Sequence, residues 1–526
     1  MSNSISYAKA GMLNFLGSAP AWYKNVIIAF LIINPIVAHY SMFAAGWLLV
    51  IEFIFTLAMA LDCYPLEAGG LLVIEACFIG MTDMHHVTEE IKANLEVIML
   101  LMFMVAGIYF VRDFLLFFFT KLLVKVRSSV LLAFMFCLMS GILSAFVDAL
   151  TVLAIIISTG VGLYQLYMNI ITNNNAMALI STNDNLVPEE HKKNLEEFRA
   201  FLRSLLMHSA IGTTLGGVCT IVGEPQNLII GDVCGWKFID YALRMAPISI
   251  PVMVCGLITC VFIEKFKLFG YGHKMPDAVY QIIVQKDAEQ TKALTRRDKL
   301  NLIVQFLCVV WLVVALGFHL ASVGIIGLSV IVLATALCGV TSEDAVGKSF
   351  TESMPFCALL CVFFTVVTVI STQKLFDPII AWVFSTPEEY HLPIIYMANG
   401  IISSVSDNVF VATIYIEQVR DSLLAGIITP EQFNELAIAI NAGTNLPSVA
   451  TPNGQAAFLF LLTSPIAALI RLPYFKMMYM ALPYTIVLTI VGLLATWFIM
   501  PELTDQMIKN GLVHGASIEL IQGQMR

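Results

Sequence analysis

The chain has 526 residues, of which 59% are hydrophobic and 12% charged, with a mean hydropathy of +0.86. Soluble domains carry roughly 25% charged residues, so the composition excludes an ordinary soluble fold and sets most of the chain against lipid or other apolar helices. The formal net charge of −9 says little, because in a membrane chain the position of charges matters more than their sum, and no nucleic-acid partner is expected.

Residues 1–20 are polar and mixed, without the compact apolar core and small-residue cleavage site of a secretory signal. Apolar stretches then recur from Ala21 to Met500. A crossing helix needs ~20 residues, which allows about ten crossings. Helices are expected, because lipid offers no partner to unpaired backbone groups, and no alternating strands of a β-barrel are visible. In chain order, 22–39, 42–61, 68–81 and 95–111 are predicted to cross. The stretch 113–127, with Lys121, Lys125 and Arg127, is predicted to lie at the interface. Segment 129–170 leaves and returns on one side, 172–204 is a polar loop, and 205–232 and 242–263 cross. The loop Glu264–Lys299 carries Lys265, Lys267, Lys274, Lys286, Lys292, Arg296, Arg297 and Lys299. The positive-inside rule places it in the cytoplasm. Beyond it 300–317, 321–339 and 350–372 cross, 374–386 lies at the outer interface, 391–418 dips in from outside, and 434–465 and 477–500 cross last. This topology puts the N-terminus inside and the C-terminus outside. It leaves only Lys92, Lys237, Arg244, Lys374, Arg420, Lys509 and Arg526 outside. The eleven cysteines are scattered singly through apolar segments and read as small packing residues.

Two pairs of segments repeat. Ser144-Ala145-Phe146-Val147-Asp148-Ala149 and Ser403-Ser404-Val405-Ser406-Asp407-Asn408 each place an Asp in an apolar hairpin, four residues after a Ser. Gly212-Thr213-Thr214-Leu215 with Thr220 and Gly223 matches Gly443-Thr444-Asn445-Leu446 with Thr451 and Gly454 at one constant offset. The Asp pair is offset further, by about the length of the polar stretch 171–198, which reads as an insertion in the first half. One hairpin enters from the cytoplasm and the other from outside, so the halves are inverted repeats. That architecture lets a transporter expose one site alternately to either side.

The Gly-Thr segments are poor continuous helices. Gly223 and Pro225 interrupt the first; Pro447, Pro452 and Gly454 interrupt the second. Proline removes a donor and glycine unwinds cheaply, and such breaks persist at membrane depth only where buried or lining a cavity. Their freed carbonyls suit a hard cation such as Na⁺. Asp148 and Asp407 supply charge, and neither hairpin contains a Lys or Arg. A lone mid-membrane carboxylate costs ~2.5–3.5 kcal/mol on insertion scales, so each must be neutralised by a proton or a cation. A carboxylate that crosses only when neutral exchanges one for the other. The supporting candidates are Ser144, Thr151, Thr220, Gly223, Asn227, Ser406, Asn408, Asn445, Thr451 and Asn453, any of which also serves to cap a half-helix. Glu224 and His208 are candidates for coupling or a pH response, while Glu52 and Glu75 read as structural.

The chain resembles the NhaB family of bacterial sodium/proton antiporters. The likeness is carried by Asn14-Phe15-Leu16-Gly17, Ala45–Val50, Leu143–Phe146 with Asp148–Thr151, Val222–Ile230, Ser406–Val411 and above all Thr444–Phe458. The resemblance implies electrogenic exchange of cytoplasmic Na⁺, and Li⁺, for external H⁺, with no cofactor. It also implies a homodimer in the bacterial inner membrane whose scaffold stays fixed while a transport domain moves. Asp148 would be the principal Na⁺ ligand and Asp407 a second candidate. Related dicarboxylate symporters carry Ser-Asn-Thr at both hairpin tips; here both tips carry Asp.

The expected fold is an all-α polytopic inverted-repeat transporter with two re-entrant hairpins and two broken helices. Residues 1–128 form first-half scaffold, 129–263 the first transport unit and 264–299 a basic linker. Residues 300–388 form second-half scaffold and 389–526 the second transport unit. The alternative is a sodium-coupled anion or dicarboxylate symporter on the same scaffold. A membrane-embedded aspartyl protease is the remaining reading, and it leaves the inverted repeat unexplained.

Overall fold

The computed structural model describes residues 6–60, 62–172, 184–351 and 353–513, and these are helical apart from turns and connections. Among them six helices are long and apolar enough to cross a membrane, or seven if the pair Met84–Ala93 and Leu95–Tyr109, bent by 53°, is one span. Further apolar helices, Met42–Ala58, Ser129–Ser144 and Val323–Cys338, are shorter. The fold is that of a polytopic membrane protein.

Ten helices build two similar units. The first comprises α1 (Ser129–Ser144), α2 (Ala149–Ile171), α3 (Glu189–Gly217), α4 (Pro225–Val233) and α5 (Phe238–Phe266). The second comprises α6 (His391–Ser403), α7 (Asn408–Leu424), α8 (Pro430–Asn445), α9 (Ala456–Thr463) and α10 (Tyr474–Leu494). Their packing repeats. The helix α3 lies along α1 as α8 lies along α6, and the half-helix after each break crosses to the other unit, α4 against α7 and α9 against α2. Glycine permits the closest approaches. A Cβ on Gly212 would collide with the Cys137 carbonyl oxygen, and one on its counterpart Gly443 with that of Tyr396.

Starts and stops follow local chemistry. Thr295 with Asp298, and Thr429 with Gln432, form reciprocal capping boxes at Arg296–Gly317 and α8. Asp83 accepts from the His85 and His86 N–H groups, starting a helix at Met84 ahead of the expected crossing. The expected polar loop 172–204 is shorter than its composition suggested. Pro188 and the acids Glu189 and Glu190 start α3 within it, and residues 173–183 lie outside the described set. The basic stretch 264–299 likewise contains a helix, Asp277–Ala293, pinned to the helix Arg112–Lys125 by Lys121–Asp287 and Arg127–Asp277, both at 2.6 Å. Asp184 is bonded by Arg199 and Arg471, tying the start of α3 to the loop before α10. The Arg199 hydrogen bond, with Arg471 adding to it, holds the Asp184 carboxyl below its usual range.

Packing therefore makes Gly212 sensitive and Gly162, which has nothing within 4 Å of an added Cβ, insensitive. Gly212→Ala is expected to destabilise by about 1–3 kcal/mol, and Gly162→Ala to be neutral or to stabilise by about 0.5–1 kcal/mol. Thermal unfolding of the two detergent-solubilised variants, followed by size-exclusion chromatography, measures the difference.

Candidate functional site

Each hairpin turns at an Asp that caps its second arm. Asp148 accepts from the Thr151 N–H at 3.2 Å and the Thr151 hydroxyl at 3.4 Å. Asp407 accepts from the Val409 and Phe410 N–H groups at 2.8 and 3.3 Å. Both carboxylates thus sit at the positive end of a helix dipole. Asp148 is buried and Asp407 partly so.

The two breaks are held against the hairpins by equivalent bonds. The Thr220 hydroxyl donates to the Ala145 carbonyl, and the Thr451 hydroxyl to that of Ser404, each carbonyl three residues before its Asp. Inside the first break, Asn227 Nδ2 donates to the carbonyls of Gly217 and Thr220, both at 2.7 Å. Inside the second, Gln455 Nε2 donates to the Asn445 carbonyl at 2.8 Å and the Ser448 hydroxyl at 2.9 Å. Gly223 and Gly454 are required here, since a Cβ on either would strike a carbonyl of its own break, that of Gly217 or Ser448.

Asn445 joins the halves. Its Oδ1 accepts from Gln226 Nε2 at 2.9 Å, and its Nδ2 donates to Asn227 Oδ1 at 3.2 Å and the Asn441 carbonyl at 2.8 Å. Asn408 donates to Ser448 at 3.4 Å. The first turns of α2, α4, α7 and α9 therefore open onto one polar centre. Glu224 lies within electrostatic range of both Asp148 and Asp407. Unpartnered side-chain oxygens remain there on Glu224, Ser144, Ser403, Asn408 and Gln455. Carboxylates, amide oxygens and hydroxyls are the donor set of a hard cation. Dipoles of four helix ends, each worth about half a charge, offset part of the acids' charge.

Most sequence candidates converge, and three do not. Asn453 Nδ2 is taken by the Ala58 carbonyl of the helix Met42–Ala58 at 2.7 Å. The Ser406 hydroxyl is consumed by the Ile402 carbonyl at 2.9 Å; the counterpart of Ser144 is Ser403, whose hydroxyl is buried and unpartnered. His208 is remote from the Asp pair. It meets Tyr484 at 2.7 Å and Glu264 at 3.2 Å and stacks on Tyr271 at 4.4 Å. The bridging amides Gln226 and Gln455 were not foreseen. The signal for Gln455 was the repeat, which aligns it with Glu224. Glu52 and Glu75 share the Asn34 amide at 2.8 and 3.1 Å, a structural use.

These features define a multi-pass membrane protein whose buried polar centre is assembled from two internally repeated units. The chain matches the family model of bacterial Na+/H+ antiporter B (NhaB) over residues 3–515, and it belongs to that family. It is 57% identical over 510 residues to the Na(+)/H(+) antiporter NhaB of Pasteurella multocida, covering 97% of this chain and 99% of that protein. It is 56% identical over 509 residues to the protein of the same name from Escherichia coli strain 536, with the same coverage. The family is one of transporters, not enzymes.

The hydroxyl clamps should be separable from mere volume. Thr220→Val and Thr451→Val are each expected to lower stability by about 1 kcal/mol, with Thr→Ser at either position restoring it. Thermal unfolding in detergent reads both effects.

Proposed function

We infer that this protein exchanges cytoplasmic Na⁺ for external H⁺, with Asp148 and Asp407 as the groups that carry them. One observation carries the assignment of the acids: two hairpin-tip aspartates, related by the repeat, are held by backbone N–H groups and a Thr hydroxyl rather than by Lys or Arg. A carboxylate so placed is stable in an apolar surround when it holds a proton or a cation. Competition between the two for one carboxylate is antiport.

The carbonyl-rich breaks at 218–224 and 446–455 supply neutral oxygens around Na⁺, with Ser144, Thr151, Thr220, Asn227, Asn408, Asn445 and Thr451 shaping or completing the shell. Li⁺, which accepts the same oxygen donors, is a second substrate. Glu224 serves coupling, because its charge state acts on both aspartates, and His208 serves a pH response from outside the ion site. More protons enter than sodium ions leave, so the exchange is electrogenic.

Residues 129–263 and 389–526 form the moving body, their half-helices interleaved. Residues 1–128 and 300–388 form the scaffold, and 264–299 link the halves in the cytoplasm. The hairpins are re-entrant from opposite faces, with the segment before residue 21 inside and that after residue 509 outside. The moving body travels as an elevator against the scaffold of a homodimer in the bacterial inner membrane. Family membership does not favour the anion-symport alternative.

In everted vesicles, Na⁺ or Li⁺ added to the wild type should collapse a preformed ΔpH, and K⁺ should not. Asp148→Asn should abolish the response with insertion unchanged, and full exchange in that variant would overturn the assignment. Asp407→Asn is expected to lose at least about tenfold in activity as the second ion-carrying acid is removed.

A further inference from the structure

One face of α2 is lined by two cavities in series. The first, of about 280 Å³, lies between α2, the helix Leu95–Tyr109 and α9; Thr151 lines one end and Arg112 and Ser158 the other. Thr151 is the residue whose N–H and hydroxyl bind Asp148, so this cavity reaches the carboxylate's own partner. The second, of about 440 Å³, continues from Ser158 and Thr159 past Gly162 and Asn169 to Asp287 and Gln290 of the linker helix. Thr151, Ile155, Ser158, Gly162 and Asn169 follow the three-to-four-residue spacing of a single helix face.

Ser158 belongs to both cavities, and there the path is crossed. Arg112 Nη2 donates to Ser158 Oγ at 2.8 Å, and that hydroxyl donates onward to the Ala154 carbonyl at 2.8 Å. Asp287, at the linker end, is already paired with Lys121. Arg112 opens the helix Arg112–Lys125, outside the two units, whereas Ser158 sits in the middle of α2. The bond therefore spans the boundary between scaffold and transport unit.

We propose that the cytoplasmic route of Na⁺ to Asp148 runs along this face of α2 and that Arg112 is its gate, shut by the hydrogen bond to Ser158. A half-buried guanidinium where the two cavities meet repels a passing cation. Na⁺ passes when Arg112 leaves Ser158, and displacement of α2 past the helix Arg112–Lys125 breaks that bond. The gate thus opens with the movement that transports the ion. This inference rests on the antiporter reading above.

The test is Na⁺/H⁺ exchange in everted vesicles, where the cytoplasmic face is outermost. Arg112→Gln should lower the KM for Na⁺ about three- to tenfold at low ionic strength, with the difference shrinking as salt screens the charge. Ser158→Ala, which removes the acceptor, should lower KM in the same direction and stands in if Arg112→Gln does not insert. Ser158→Cys, in a background without other reactive thiols, should react with a cationic thiosulfonate added from the cytoplasmic side. That reaction should stop exchange, and it should be faster when combined with Arg112→Gln. Unchanged KM in both Arg112→Gln and Ser158→Ala beside a normally active wild type overturns the gate, as does full exchange after Ser158→Cys is labelled. Absence of Na⁺ exchange in the wild type would instead overturn the antiporter reading, and the two failures are distinct.

Discussion

A helix that unwinds inside an apolar surround must find new partners for every backbone group it frees, and this constraint organises the molecule. The breaks after Gly217 and Asn445 release carbonyls in a mostly buried setting. Asn227 takes up two of them, Gln455 takes one, and the Thr220 and Thr451 hydroxyls fasten each break to the neighbouring hairpin tip. The glycines that let the chain fold so tightly follow from this, as does the amide of Asn445 that joins one break to the other. The oxygens left over are what a cation would meet.

The all-helical, multi-pass character and the turns at the two Asp residues were legible because their signals are local. Asp148 and Asp407 stand out as acids within apolar runs, and Pro225, Pro447 and Pro452 mark interruptions that no neighbouring sequence could repair. The repeat was legible too, from glycine and threonine at a constant spacing. What the sequence hid was long-range. His208 is bonded by Tyr484 and Glu264, and Asn453 by Ala58, residues far away along the chain. Periodicity says nothing of such pairs. Position within a motif also does not reveal which hydroxyl its own helix consumes, so Ser406 stood out where Ser403 is the one left bare. The helix inside the basic linker escaped for another reason: charge reports the side of the membrane and is silent on conformation.

The repeats are similar without being identical, and the differences fall at the centre. Glu224 in one break stands where Gln455 stands in the other, and only the glutamine is tied down by donating. One half therefore spends this position on structure while the other keeps a carboxylate within electrostatic range of both aspartates. Symmetry supplies the two aspartates, and departure from symmetry adds a third acid, Glu224.

The crossing of α4 onto α7 and α9 onto α2 has a consequence for how such a chain can change over generations. Neither half encloses a complete compartment, so a substitution near one hairpin is felt by a helix encoded well over a hundred positions away. The two halves must drift together. A gene split between them would yield fragments that are useful only as a pair.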